Sequence, residues 1–385
     1  MTGVVGIDSQ HSWSAVVVNE VSTEGTQCSP VGDGRRHLVP HAYDDEGRWG
    51  TAAAEAALDG SPETSLLSWR RDPWTVAFLA GVRDRLYAYL GDVAPTGAHG
   101  YAICTTEPAG PEAPDAATLG RTFAEAGLPD CWLVDPAAAL VCRWLADETS
   151  GRLERPRTVL AVVCGEERTT ASAFRVEPTD DGRVTVRRDG TPPDPTPHGV
   201  GPWHAELADT VVERCREGVR RGDALAVLDG VLEFGARLRS QRDPLEPVEW
   251  MGPLADRMFA TLQVSRRSLA GQHQVVELTD AIRDRAAEAM RTVDDPVDLV
   301  LAGGLGAVWP FAADTLQEHA PVWQSRRPEL DLAVGATWWP ALAARFGTDA
   351  HPIEVAPAPA VEQLAEPVRE PDAPATEERP PWLRD

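Results

Sequence analysis

Apolar and polar positions alternate along this chain with two periods, and the stretches with period two come as a matched pair. Residues 159–163 (Val-Leu-Ala-Val-Val) form a continuous apolar run, the pattern of a strand buried on both faces. A polar turn over residues 165–168 follows. Beyond it, Ala171, Ala173 and Val176 alternate with Ser172 and Arg175, which predicts a second strand and so a hairpin. The chain opens with the same figure: an apolar strand ending at Asp8, a polar turn over 9–12 and a second apolar strand over 14–18. Two like hairpins predict two like halves.

Helical period governs most of the rest. Val76, Leu79, Ala80, Val82, Leu86 and Leu90 predict an amphipathic helix over 74–90, stopped by Gly91. A short alanine-rich helix is expected over 52–58, and others over 115–126, 203–220, 224–240, 275–293, 312–318 and 330–345. Asp135-Pro136 predicts a helix over 137–147, with the acid at the N-cap and proline in the first turn. Strands are expected over 37–40, 100–105, 131–134 and 297–302, the last running into Gly303-Gly304. A short strand near 248–250 is followed by a helix start over 253–259. Residues 22–36 and 180–200 read as loops. From 348 onward Pro, Ala and Glu dominate without periodicity, which predicts an acidic tail lacking fixed structure. Trp382-Leu383 near its tip reads either as a chance surface pair or as an aromatic anchor for a protein partner.

Composition narrows the function classes. The 385 residues allow two domains, and 43% hydrophobic residues allow a large core. A net charge of -24 argues against nucleic acid and against anionic membrane surfaces as partners. No apolar run approaches the roughly 18 residues of a membrane span. The first residues lack the basic segment of a signal peptide, so a cytoplasmic protein is expected. The six scattered cysteines form no CxxC pair and read as reduced thiols. Every basic residue is arginine, which excludes Schiff-base chemistry and a phosphate-binding lysine of the Walker type. His198 and His204 lack companions at metal-ligand spacing. The tryptophans, several of them late in the chain, read as core packing, with an exposed aromatic interface as the alternative.

Taken in order, the motifs resemble the nucleotide-binding domain of DnaK-type seventy-kilodalton heat-shock chaperones, within the actin-like ATPase superfamily. Gly6-Ile-Asp8 resembles its first phosphate motif, and residues 159–174 stand at the second. Asp135-Pro-Ala-Ala-Ala-Leu140 resembles the connecting motif, Gly303-Gly304 the adenosine-binding glycine pair, and residues 331–336 the second connecting helix. The resemblance covers residues 3–346. It implies an α/β bilobal actin-like ATPase fold, two RNase-H-like halves around a nucleotide cleft. The first lobe would span 1–157, with an inserted subdomain near 37–98. The second would span 158–347, with an insertion near 203–275, leaving 348–385 as the tail. The family's β-sandwich peptide-binding domain has no counterpart in this sequence.

The resemblance also implies ADP or ATP with magnesium, held through Asp8 (metal and phosphate side), Gly165, Glu233, Arg237, Ser240, Gly303 and Gly304. Its catalytic candidates here are Asp8, Arg70 and Asp135. The chain departs from the pattern where the chemistry needs it most. Gln10 and His11 stand in place of glycine and threonine, Asp135 in place of glutamate, and Val163 in place of the second motif's aspartate. Gly165-Glu166-Glu167-Arg168 replaces Gly-Gly-Gly-Thr. A carboxylate about 4 Å from a phosphate charge costs on the order of 4 kcal/mol at an effective dielectric near 20, roughly a 10³-fold loss of affinity. The leading expectation is therefore a pseudo-ATPase that works through protein interaction and binds adenine nucleotide weakly. An active DnaK-like ATP hydrolase is the alternative, and a sugar kinase on the same fold a third reading with no sugar signature behind it.

Overall fold

The computed structural model describes residues 4–10, 13–22, 25–30, 38–43, 79–84, 102–106, 116–128, 131–148, 155–180, 183–214, 228–253, 259–347 and 353–355, with single positions or pairs at 48, 50, 52–53, 65–66, 76 and 153. These residues form a mixed α/β protein built on two mixed sheets. The first contains β1 (Val4–Ser9), β2 (Trp13–Ser22), β3 (Gly25–Pro30), β4 (Leu38–Pro40), β7 (Ala102–Thr106) and β8 (Cys131–Val134), with β16 (Ile353–Val355) at one edge. Short strands β5 (Ala42–Tyr43) and β6 (Ser65–Leu66) pair with each other apart from it. The second sheet contains β9 (Arg157–Cys164), β10 (Thr169–Pro178), β11 (Val184–Asp189), β14 (Leu299–Gly303) and β15 (Val322–Trp323). A separate ribbon joins β12 (Val248–Pro253) to β13 (Phe259–Val264).

The two large sheets share one plan. Each begins with three antiparallel strands in a meander. Two later strands then add, in parallel, to the open side of the first strand: β7 and β8 beside β1, β14 and β15 beside β9. With β4, which pairs beside β2, and the edge strand β16 set aside, the spatial order in chain-order terms is third, second, first, fourth, fifth in both.

Residues 79–84 are helical, and the helices with both ends described are α1 (Ala116–Glu125), α2 (Pro136–Glu148), α3 (Gly201–Arg214), α4 (Leu228–Ser240), α5 (His273–Arg291), α6 (Pro310–Leu316) and α7 (Asp331–Leu342), with a one-turn helix over Arg266–Leu269. Strand β9 shows why its run is unbrokenly apolar. Leu160, Val162 and Cys164 join the core that includes Leu278 and Ile282 of α5, while Val159, Ala161 and Val163 join the core around α2. Alternation sends successive side chains to opposite faces, and both faces are covered.

Helices α2 and α7 exchange sheets. Although α2 follows the last parallel strand of the first sheet, it packs against β9 and β14 of the second. In turn α7 follows the second sheet and packs against β1, β2 and β7 of the first. The two helices cross in direct contact. A Cβ on Gly335 would overlap the Ala139 carbonyl, and one on Gly6 would overlap the Ala333 carbonyl. At both points backbone meets backbone, and only glycine fits.

Several expectations need correction. Residues 25–30 and 184–189, read as parts of loops, are β3 and β11, the third strand of each meander. Only Val186 of β11 is buried, so an edge strand facing solvent shows little apolar pattern. Positions 253 and 259 lie in the β12–β13 ribbon rather than at a helix start; the residues between them lie outside the described ones. Strand β15 was not anticipated, and β16 pairs with β8 from within the stretch read as tail. Among the described residues no helix is long and apolar enough to cross a membrane. Cys28, Cys142 and Cys164 are free thiols.

Because the α2–α7 crossing has no room for a methyl group, Gly335→Ala is expected to lower the unfolding free energy by about 3 kcal/mol. Gly271→Ala, where a Cβ would meet only the Ser268 carbonyl at 3.6 Å, is expected to change it by less than about 1 kcal/mol. Urea denaturation followed by circular dichroism measures both. A Gly335→Ala protein as stable as the parent would contradict the close crossing.

Candidate functional site

Where the two hairpins meet, one side chain joins them. Asp8, at the end of β1, is fully buried. The Gln10 carboxamide donates from Nε2 to Asp8 Oδ1 at 2.8 Å, and its Oε1 accepts the backbone N–H of Glu166 at 3.0 Å. Glu166 opens the turn between β9 and β10, which closes through Gly165 N–H donating to the Arg168 carbonyl at 2.9 Å. Gln10 thus ties the first hairpin to the second across their tips.

The second turn is held from its other side as well. Val200 N–H donates to the Gly165 carbonyl at 3.0 Å and Gly201 N–H to the Glu166 carbonyl at 2.7 Å. Thr169 Oγ1 donates to the His198 carbonyl at 2.8 Å, and Thr169 and Thr196 exchange backbone hydrogen bonds. Gly199 permits the approach, since a Cβ there would strike the Glu166 carbonyl. Glu166 itself is buried against this segment rather than directed into solvent.

Asp135 is committed on both oxygens. Oδ1 accepts the N–H of Ala138 at 2.8 Å, capping α2 as the sequence predicts. Oδ2 lies 3.1 Å from Arg188 Nη2, an ion pair whose angle falls short of a hydrogen bond. The Arg188 guanidinium also lies over the Phe174 ring at 5.6 Å. Arg188 was not anticipated, because its strand, β11, was read as loop. A cavity of about 190 Å³ remains here, bordered by Gln10, Asp135, Val163, Gly165, Arg168 and a run of prolines at 192, 193 and 195. Ligand pockets for drug-sized molecules start near 300 Å³.

The residues expected on the adenosine side do not converge on this cavity. Glu233, Arg237 and Ser240 share one face of α4, and all three are exposed. Ser240 Oγ donates to the Arg237 carbonyl at 2.8 Å. Gly303 and Gly304 are buried. Gly303 makes room for Leu140 of α2, and Gly304, at φ +86°, lies over the Cys164 carbonyl. Arg239, one residue from the predicted set, instead straps α4 down by donating to the Ala307 carbonyl at 3.3 Å and the Arg326 carbonyl at 2.8 Å. Trp309 fills the space behind, donating its indole N–H to His204 Nε2 at 2.9 Å and packing on Phe234 and Phe311. Burial lowers the His204 pKa to about 3, so the ring is neutral and serves as an acceptor. Arg70 lies outside the described residues.

As arranged, these groups do not fit a magnesium nucleotide. The Glu166 amide that would face a phosphate already donates to Gln10. Val163 offers no oxygen where a hydrated metal would need one, and Asp135 is tied to Arg188. Among the described residues no group of three His, Cys, Asp or Glu side chains is placed to hold a metal ion. What the site does chemically is join two hairpins through Gln10 and pair one acid, Asp135, with Arg188.

Asp135→Ala removes a helix cap and strands a largely buried guanidinium, so a loss of about 2 kcal/mol of stability is expected. Asp135→Asn keeps the cap and is expected to lose about 1 kcal/mol. Arg188→Met in the Asp135→Ala background should recover part of the loss. A double-mutant cycle by urea denaturation checks this; additive effects would deny the pairing.

No protein-family model matches the chain, and no curated protein shows a significant match to it.

Proposed function

We propose that the chain is a bilobal actin-like protein, related to the nucleotide-binding domain of DnaK-type chaperones, that acts as an interaction or regulatory pseudo-ATPase. The repeated strand order and the exchanged helices α2 and α7 support the fold, since each half carries an RNase-H-like meander with two added parallel strands. The observation that carries the functional reading is Gln10. Its carboxamide engages Asp8 Oδ1 and the Glu166 amide together, the two groups that a phosphate and its metal would engage. Adenine nucleotide then binds weakly and without regard to magnesium, and the protein works through a protein partner. The acidic segment around Trp382 and Leu383, outside the described residues, is the partner contact in this reading.

The active alternative, an ATP-hydrolysing DnaK-like protein, draws on one feature: Asp8 is retained at the end of β1. Titration calorimetry with ADP and ATP, with and without magnesium, separates the two. The pseudo-ATPase reading expects dissociation constants above about 0.1 mM and no effect of magnesium. Tight magnesium-dependent binding of ATP with phosphate release, lost in Asp8→Ala, would replace it with the active reading. If Gln10 is what closes the phosphate side, Gln10→Gly frees one backbone donor for a charged acceptor and should tighten ADP binding roughly tenfold.

A further inference from the structure

A second cavity, of about 700 Å³, lies between α2, α7, strands β2 and β3 and the loop from β15 to α7. It shares no lining residue with the smaller cavity at the hairpins, and its size falls within the range of small-molecule sites, roughly 300–1,000 Å³. We propose that it binds a small anion with a planar ring that also carries an N–H donor, the chemistry shared by N–H-bearing aromatic carboxylic acids and nucleoside monophosphates. This inference does not rest on the reading of the hairpin site.

Three features define the ligand. Arg143, Arg326 and Arg327 line the cavity; Arg326 is exposed and makes no ion pair among the described residues. Arg326 supplies an anion site at the rim, with Arg143 and Arg327 beside it already paired with Asp147 and Glu329. Trp323 and Trp338 also line the cavity and offer ring surface, which a bare inorganic anion would leave unused. On the wall, Asp331 is 1% exposed and its Oδ2 has no hydrogen-bond partner. A buried carboxylate oxygen beside an open cavity calls for a donor, and a ligand N–H meets that need.

The surroundings of Asp331 make its protonation a readout. Burial raises its pKa to about 7, opposed by the Ser325 hydroxyl and by Arg143 of α2, whose Nε lies 3.5 Å from Oδ1. Glu329 in the preceding turn and Asp147 of α2 push it further up. Arg239 of α4 and Arg327, which is paired with Glu329 at 3.0 Å, complete the charges near it. A donated N–H favours the carboxylate, so binding near pH 7 displaces a proton. Affinity falls as pH is lowered from 7 to 5, because the acid must then be deprotonated first.

The test is titration calorimetry of the full chain with indole-3-acetate and guanosine 5′-monophosphate, beside inorganic phosphate and indole alone. At least one of the first two is expected to bind with a dissociation constant below about 1 mM, and phosphate or indole at least about tenfold more weakly. Arg326→Ala with Arg327→Ala should weaken the bound probe at least about tenfold. Asp331→Asn should abolish the proton release measured in buffers of different ionisation heat. Which probe binds identifies the source of the anion, carboxylate or phosphate. No binding of either probe, or binding indifferent to the arginine pair, overturns the proposal. If Asp331→Asn fails to fold, the pH dependence in the parent protein still decides: affinity unchanged between pH 7 and pH 5 would remove Asp331 from the site.

Discussion

Backbone contact at the α2–α7 crossing sets the geometry on which the rest depends. Each helix grows out of one sheet and is packed into the other, so neither sheet completes its core alone. Gly335 and Gly6 let carbonyl and backbone approach where any side chain would hold them apart. Both helices of this crossing begin with an acid. Asp135 stands at the start of α2 and Asp331 at the start of α7, where carboxylates complement the helix dipole. Ala137 and Leu332 border the smaller cavity, and Arg143 and Val334 the larger, so both cavities are walled by the same helix pair.

Gln10 has a side chain suited to its position for a reason that can be stated in donors and acceptors. A carboxamide offers an N–H to Asp8 and a carbonyl to the Glu166 amide at the same time. A glutamate there would set a second negative charge against buried Asp8, and a glycine would give up both hydrogen bonds. The Asp135–Arg188 pair follows the same logic at the neighbouring strand end. Arg188 balances the charge of Asp135, and Gln10 links the hairpin tips through side-chain hydrogen bonds to both.

Apolar runs made β1, β9 and β14 legible, because burial on both faces leaves an unbroken signal such as residues 159–163, and alternation made β10 legible. The N-cap at Asp135 was legible too, since acid followed by proline specifies a local geometry. Strands β3 and β11 were not. They sit beyond the antiparallel partner and present mostly polar residues, so pattern alone assigned them to loops. That omission hid Arg188, whose partner is distant in sequence and appears only once β11 pairs with β10. The departure at Gln10 was visible as a missing glycine, but its bridging role required knowing that the two hairpin tips meet. The face of Glu233, Arg237 and Ser240 was read correctly as one helix face, while its orientation toward solvent depends on packing that no local spacing encodes.

Asp331 runs against the character of the segment that bears it. Helix α7 buries Ala333, Gly335, Ala336 and Thr337, small residues that favour close contact, together with Leu332, Trp339 and Leu342. An apolar residue of similar volume at 331 would avoid burying a carboxyl with an unsatisfied oxygen, and such replacements are often neutral or stabilising. Arg143 compensates only in part, being 3.5 Å away and also paired with Asp147. A group that packing does not require and hydrogen bonding does not fully satisfy has its natural explanation in what enters the adjoining cavity. A ligand held there by Asp331 of α7 and Arg143 of α2 would touch both crossing helices at once. Its binding energy would therefore act on the contact that joins the two sheets, without passing through the hairpin tips that Gln10 has closed.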